Sequence, residues 1–172
     1  MTTLFWFYQD LRLTDNPGLL SALKSATPVL AVYHLDPENP KGPQGASAWW
    51  LHHSLISLNE QLKSQGGGLL LSYGPTQNIA KLAEQNGCSR LFFSRNHEPW
   101  QKHQQLSIAE TCDGLGIDCK QFGGQLLQEP EQTLNKSGEA YRVFTPFYRA
   151  HYEQALNQRI KEPLAPSRTP QW

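Results

Sequence analysis

Polar side chains follow an unbroken apolar run near the start of the chain, and they are the first candidates for a functional site. Residues 4–7 are Leu, Phe, Trp and Phe, and Tyr8, Asp10 and Arg12 come directly after them. A phenol, a carboxylate and a guanidinium can bind a small molecule through hydrogen bonds and charge. The run lacks apolar and polar alternation, which is typical of a strand covered on both faces. The alternative is a buried strand followed by an ordinary surface turn.

Two further apolar runs also end in polar residues. Residues 29–35 lead to Asp36. Residues 90–94 are followed by four polar residues in succession: Arg95, Asn96, His97 and Glu98. Because ligands of open α/β sheets bind where parallel strands end, we expect these side chains to border one crevice. Glu98 is the strongest single candidate, although an acid just before a helix also interacts favourably with the helix dipole.

The sequence contains no recognised catalytic or phosphate-binding signature. Neither GxGxxG nor GxxxxGK[ST] occurs, and the three glycines at 66–68 lie between a predicted helix and a predicted strand. His52 and His53 would project about 100° apart on a helix, which disfavours a shared metal ion. Neither a nucleophile elbow nor a marked carboxylate pair is present. We therefore predict neither catalytic residues nor a metal site.

Composition favours one domain of balanced charge. The 172 residues include 15 basic and 15 acidic side chains, so the formal net charge is zero and DNA binding by this chain alone is disfavoured. Three cysteines without CxxC spacing argue against a complete disulfide framework. The sequence shows no signal-type segment and no apolar run long enough to span a bilayer. These features predict a cytoplasmic protein without a membrane partner.

Apolar periodicity predicts strands and helices in alternation. The predicted strands are residues 4–8, 29–35, 69–73, 90–94 and 117–122. The predicted helices begin at residue 17, span 47–65 and 76–86, and begin again at residue 99. The helix over 47–65 has the clearest pattern, with leucines at 51, 55, 58 and 62. The alternation predicts a three-layer α/β/α sandwich around a five-stranded parallel sheet. The expected strand order is 3-2-1-4-5. In that order strands one and four are neighbours at the point where the order reverses.

The pattern changes after residue 123. The segment 141–147 enters a last predicted helix that continues to about residue 161. Pro163, Pro166 and Pro170 follow it, and proline-rich segments of this kind are typical of interdomain linkers. We therefore expect a domain over residues 1–161 and the start of a linker over 162–172.

Four short motifs, in this order, resemble the N-terminal domain of the DNA photolyase and cryptochrome family, especially bacterial class I photolyases. They are WFYQDLRL at 6–13 with DNP at 15–17, WWLHHSL at 49–55, EPW at 98–100 and RVFTPF at 142–147. Each motif is modest alone, but together they cover nearly the whole chain. Two positions depart from the family, which commonly has arginine in place of Tyr8 and Ala48.

The resemblance implies a Rossmann-like domain that binds a light-harvesting antenna chromophore: a methenyl-folate, an 8-hydroxy-deazaflavin or a flavin nucleotide. In the family, energy then passes to reduced FAD in a separate C-terminal helical domain, where pyrimidine dimers in DNA are split. That FAD domain is absent from the 172 residues, so damaged DNA would be a partner only through it. The parent would be a photolyase or a related cryptochrome, and we expect this fragment alone not to repair DNA.

The resemblance also implies roles for particular residues. Glu98 matches the acidic residue that contacts the antenna in folate-type members. The other matched pocket-edge positions are Tyr8, Asp10, Arg12, Asp36, Arg95, Asn96 and His97. An antenna site needs a pocket but no acid, base or nucleophile, which agrees with the missing catalytic signature. Two alternatives are a stand-alone nucleotide-binding or sensing module on the same scaffold, and a structural domain whose cleft is filled by Tyr8.

Overall fold

The computed structural model describes residues 1–25 and 27–159. The elements along these residues are β1 (Thr2–Phe7), α1 (Pro17–Lys24), β2 (Val29–Leu35), α2 (Ala46–Ser64), β3 (Leu69–Tyr73), α3 (Asn78–Gln85), β4 (Cys88–Ser94), α4 (Pro99–Gly114), β5 (Asp118–Phe122) and α5 (Phe144–Arg159), with a 3-10 turn at Pro130–Gln132 before α5. The predicted linker at 162–172 and the predicted end of the last helix lie outside the described residues.

The five strands form one parallel sheet in the order β3-β2-β1-β4-β5. The predicted fold class and strand order are therefore confirmed. β1 lies at the centre, where Phe5 is paired with Ala31 of β2 and with Phe92 of β4. The carboxyl ends of β1 and β4 are consequently neighbours at the point where the strand order reverses.

The sheet is covered on both faces, which explains why residues 4–7 of β1 are all apolar. Leu4 and Trp6 pack into a cluster built with α3 and α4, including Ile79 and Ile108. Side chains at odd positions of the strand, such as Phe5, pack into a second cluster with α1 and α2. Because successive strand residues point to opposite faces, a strand between two helical layers has no polar side.

The leucine stripe of α2 faces the sheet as predicted. Leu58 and Leu62 are fully buried, and Leu51 and Leu55 are partly buried against the same cluster. Ile56, on the other side of the helix, remains 43% exposed. The stripe therefore orients α2 so that the start of the helix borders the cleft described below.

This packing predicts that Leu62→Ala lowers the free energy of unfolding by about 3 kcal/mol, because it leaves a cavity in a fully buried site. Ile56→Ala is the matched control on the same helix and should cost less than about 1 kcal/mol. Urea denaturation of both variants measures the two values. Equal losses would contradict the orientation of α2.

Candidate functional site

A buried carboxylate joins the ends of β1 and β4 to the start of α1. Asp10 is only 1% exposed. Its Oδ1 accepts a hydrogen bond from the backbone N–H of Tyr8 at 3.1 Å, and its Oδ2 accepts from Ser94 Oγ at 2.5 Å and Asn16 Nδ2 at 3.0 Å. Asn16 also caps α1, since its Oδ1 accepts from the N–H of Leu19. We call Asp10, Asn16 and Ser94 the Asp10 clamp.

A cleft of about 580 Å³ opens at the carboxyl ends of β1 and β2. Its wall comes from these strand ends, from the loop over residues 38–45, from the start of α2, and from Thr76 and Gln104. Three of the predicted site residues line it: Tyr8, Arg12 and Asp36. Asp10 is part of the clamp and does not line the cleft.

Arg12 is held by two backbone carbonyls. Its Nε donates to the carbonyl of Asp15 at 3.1 Å, and its Nη2 donates to the carbonyl of Gly124 at 3.0 Å.

Two phenols on the cleft wall stay protonated at neutral pH. Tyr8 Oη accepts hydrogen bonds from Gln101 Nε2 at 3.2 Å and from Asn39 Nδ2 at 3.4 Å. Burial nevertheless raises the pKa of Tyr8 above its usual value. Burial, with a smaller contribution from Tyr8, raises the pKa of Tyr33 to about 12. Both side chains therefore present neutral aromatic surface to the cleft.

Asp36 is a fixed anion on the opposite part of the wall. Burial disfavours its charge, but hydrogen bonds from the Thr76 hydroxyl and from the backbone N–H groups of Glu38 and Thr76 outweigh that effect and lower its pKa. The N–H groups lie 2.8 Å from Oδ1 and 3.0 Å from Oδ2 respectively. Gln104 Nε2 adds a longer contact of 3.4 Å to Oδ2. These bonds also hold the loop that follows β2.

His34 is buried in the wall of the cleft, and both of its ring nitrogens have hydrogen-bond partners. Its Nε2 is 2.8 Å from the carbonyl oxygen of Gly74, and its Nδ1 is 3.1 Å from Ser72 Oγ. A carbonyl can only accept, so Nε2 donates to it, and the serine hydroxyl can donate to or accept from Nδ1. His34 therefore ties β2 to the end of β3 and supports the cleft from below.

Glu98 lies at the rim of the cleft. Its Oε1 is 3.0 Å from Nζ of Lys41, a residue that lines the cleft, and its Oε2 accepts from the indole N–H of Trp100. These two hydrogen bonds lower the pKa of Glu98. Although Glu98 occupies the N-cap position of α4, its side chain makes no capping bond to the helix backbone. Its side chain thus joins the loop over residues 38–45 to α4.

The remaining predicted residues lie on the other side of α4. Arg95 and Asn96 line a second cavity of about 640 Å³ between α4 and the 3-10 turn. Arg95 Nη1 is 3.4 Å from Glu129 and 3.5 Å from Glu131, and His97 Nε2 is 3.6 Å from the same Glu129 carboxylate. The structure therefore does not bring these three residues together with Tyr8 and Asp36.

Two of the tryptophans lie in different surroundings. Trp6 is 3% exposed in the core, whereas Trp50 is 70% exposed and lines the cleft. Sequence reasoning did not single out Asn39, Lys41 or Gln101. For Gln101 a signal existed, because it shares a buried stripe of α4 with Gln105, Ile108 and Cys112. The loop residues carried no such periodic signal.

Two negative findings concern the described part of the chain. Across residues 1–25 and 27–159, no helix has the length and apolar character needed to cross a membrane. Over the same residues, no group of three His, Cys, Asp or Glu side chains is placed to hold a metal ion.

A family model described as DNA photolyase matches residues 3–169. The chain belongs to the DNA photolyase family. A deoxyribodipyrimidine photo-lyase from Agrobacterium fabrum is 39% identical over 149 residues, which are 86% of this chain and 31% of that protein. Cryptochrome-1 from Arabidopsis thaliana is 30% identical over 151 residues, which are 85% of this chain and 22% of that protein. This photolyase-family chain thus spans a third or less of the length of these relatives.

Solved structures agree with the family and the fold. A class III photolyase from Agrobacterium tumefaciens superposes with a TM-score of 0.80 at 33% identity, covering 99% of this chain and 36% of that one. A Synechocystis cryptochrome gives 0.83 at 27% identity, covering 98% and 36%. An archaeal photolyase from Sulfolobus tokodaii, described as holding two FAD molecules, gives 0.77 at 26% identity, covering 96% and 37%. The chain therefore corresponds to the α/β domain of photolyases and cryptochromes.

The Asp10 clamp predicts that Asp10→Asn lowers the free energy of unfolding by about 3 kcal/mol, since an amide turns a donor toward groups that already donate. Asp15→Asn is the control, because Asp15 is exposed and asparagine tolerates its positive φ of 50°. It should change stability by less than about 0.5 kcal/mol. Urea denaturation at pH 7 measures both values. A loss for Asp10→Asn as small as that for Asp15→Asn would contradict the clamp.

Asp36 predicts a defined pH dependence. Its pKa in the folded protein lies below the usual 3.8, so the stability it contributes is present above pH 3.8 and is lost as the pH falls through the lower folded value. The stability difference between the wild type and Asp36→Asn should therefore be constant near neutrality and shrink below pH 3.8. Thermal melts between about pH 2.5 and 7 measure this stability difference, because that range spans the titration of carboxyl groups. A difference that grows on acidification would contradict this assignment.

Proposed function

We propose that this chain is the antenna-chromophore-binding domain of a photolyase or a related cryptochrome, with the chromophore held in the cleft at the ends of β1 and β2. The observation that carries the proposal is a cleft of about 580 Å³, bounded by phenols and fixed polar groups, within a domain of this family. Its volume is in the range of small-molecule sites, about 300–1,000 Å³.

The chemistry of the wall supports binding and not bond breaking. Asp36 has a lowered pKa and is already hydrogen-bonded, so it is a poor general base at neutral pH. Tyr8 and Tyr33 have raised pKa values and remain protonated. A light-harvesting chromophore requires a fixed position and orientation, and it requires no proton transfer from the protein.

The candidate chromophores are a methenyl-folate, an 8-hydroxy-deazaflavin and a flavin nucleotide. All three contain a largely flat, conjugated heterocyclic ring system that can pack against tyrosine and tryptophan rings. The Sulfolobus tokodaii photolyase, whose description links its two FAD molecules to a novel light-harvesting cofactor, supports a flavin nucleotide among these. Arg12 and Lys41 supply positive charge for an anionic tail of any of the three.

Repair of DNA belongs, in this proposal, to a whole protein of which this chain is one domain. The α/β domain would comprise residues 1–161 of this chain, and residues 162–172 would begin the linker to a helical FAD domain. Damaged DNA would be bound by that second domain, since this chain has a formal net charge of zero. The proposed location is the cytoplasm.

The proposal predicts saturable, one-to-one binding of one chromophore by the purified chain. The test is an absorbance and fluorescence titration with methenyl-folate, 8-hydroxy-deazaflavin, FMN and FAD in turn. Glu98→Gln should weaken binding by about 2- to 5-fold, because it removes the ion pair that holds Lys41 and its loop in place at the rim of the cleft. Glu84→Gln, at an exposed position of α3, is the matched control and should bind as the wild type does. Failure of all four compounds would contradict the proposal.

A further inference from the structure

Tyr8 has an unusual set of hydrogen-bond partners for a cleft residue. Its phenolic oxygen accepts from two side-chain amides, those of Gln101 and Asn39. The orientation of the Asn39 amide is fixed independently, because its Oδ1 accepts from the backbone N–H of Lys41 at 2.9 Å. The Nδ2 of Asn39 is therefore the atom that faces Tyr8, and it can only donate.

A phenol has one proton to donate and two lone pairs that accept. With both acceptor positions used by amides, the proton of Tyr8 is left for an acceptor elsewhere. Tyr8 lines the cleft and is half-buried, so the open direction is the cleft itself. The raised pKa of Tyr8 keeps this proton in place at neutral pH.

The serine and threonine hydroxyls that line the cleft are already engaged. Ser47 Oγ donates to the carbonyl of Gln44 at 2.8 Å, and Ser54 Oγ donates to the carbonyl of Trp50 at 2.9 Å. The hydroxyl of Thr76 donates to Asp36. Tyr8 differs from these three residues because its described hydrogen bonds leave its proton uncommitted.

We propose that Tyr8 is a specificity-determining residue, whose O–H donates a hydrogen bond to a neutral acceptor on the bound chromophore, a ring carbonyl oxygen or a ring nitrogen. This inference rests on the proposed function and adds the chemical group that is recognised. Gln101 and Asn39 act as positioning residues that direct the phenolic proton into the cleft. The preferred ligand is then a planar lactam-containing ring system that presents an acceptor edge to the end of β1.

The test compares the wild type with Tyr8→Phe in titrations with methenyl-folate, 8-hydroxy-deazaflavin, FMN and FAD. For the compound that the wild type binds, Tyr8→Phe should raise the Kd by about 5- to 10-fold, the effect of losing one hydrogen bond. Tyr73→Phe removes a hydroxyl from a tyrosine that is 71% exposed and outside the cleft, and it should leave the Kd unchanged. A urea denaturation curve establishes that each variant is folded.

A spectroscopic readout separates a direct hydrogen bond from a loss of packing. If Tyr8 donates to a ring carbonyl, the infrared C=O stretch of the bound chromophore should move to higher wavenumber in Tyr8→Phe; if it donates to a ring nitrogen, the ring-mode frequencies should change instead. Gln101→Leu keeps the phenolic proton but removes one of the two amides that direct it, so it should change the spectrum in the same direction as Tyr8→Phe and by a smaller amount. Tyr8→Phe with unchanged Kd and unchanged spectrum would overturn the inference while leaving the proposed function standing. Absence of binding by the wild type would overturn both.

Discussion

The carboxylate of Asp10 is buried where the sheet reverses its strand order, and three chain segments donate hydrogen bonds to it. Burying a carboxylate costs free energy unless donors meet it, and here the donors are the backbone N–H of Tyr8 just after β1, Ser94 at the end of β4 and Asn16 at the cap of α1. Each donor in turn loses its partner if Asp10 moves. This mutual dependence fixes the turn after β1, and with it the positions of Tyr8 and Arg12 beside the cleft.

The cleft is held open by polar contacts around its edge. Asp36 binds the start of the following loop and Thr76, His34 joins β2 to the end of β3, and Lys41 reaches Glu98 across the rim. The internal contacts rely on buried or partly buried groups, whereas the Lys41–Glu98 pair is exposed and contributes little stability. The cleft is therefore formed by contacts within the domain itself, with buried or partly buried groups along its wall and an exposed ion pair at its rim.

Sequence patterns predicted the fold because each strand and helix carries its own periodic signal. The unbroken apolar run of β1 reflects burial on both faces of the strand. The leucine stripe of α2 reflects burial on one face of the helix. The site was predicted less completely. Residues after β4 were expected to join those after β1, but Arg95 turns to the far side of α4, where Glu129 and Glu131 bind it. Which side a turn takes depends on partners distant in sequence. Asp10 was predicted as a ligand-binding residue, and a single sequence does not reveal that its carboxylate accepts hydrogen bonds from Tyr8, Asn16 and Ser94 within the domain.

The central claim is that the cleft at the ends of β1 and β2 is where this photolyase-family domain holds its chromophore. The most direct measurement is a map of backbone amide chemical shifts by ¹⁵N NMR as the chromophore is added to saturation. The account predicts that the largest changes occur at Tyr8, Asp36 and Thr76, with little change at Gln121 or Gln132 beside the second cavity. Changes centred on Arg95, Gln121 and Gln132 instead would contradict it and place the ligand on the other side of α4.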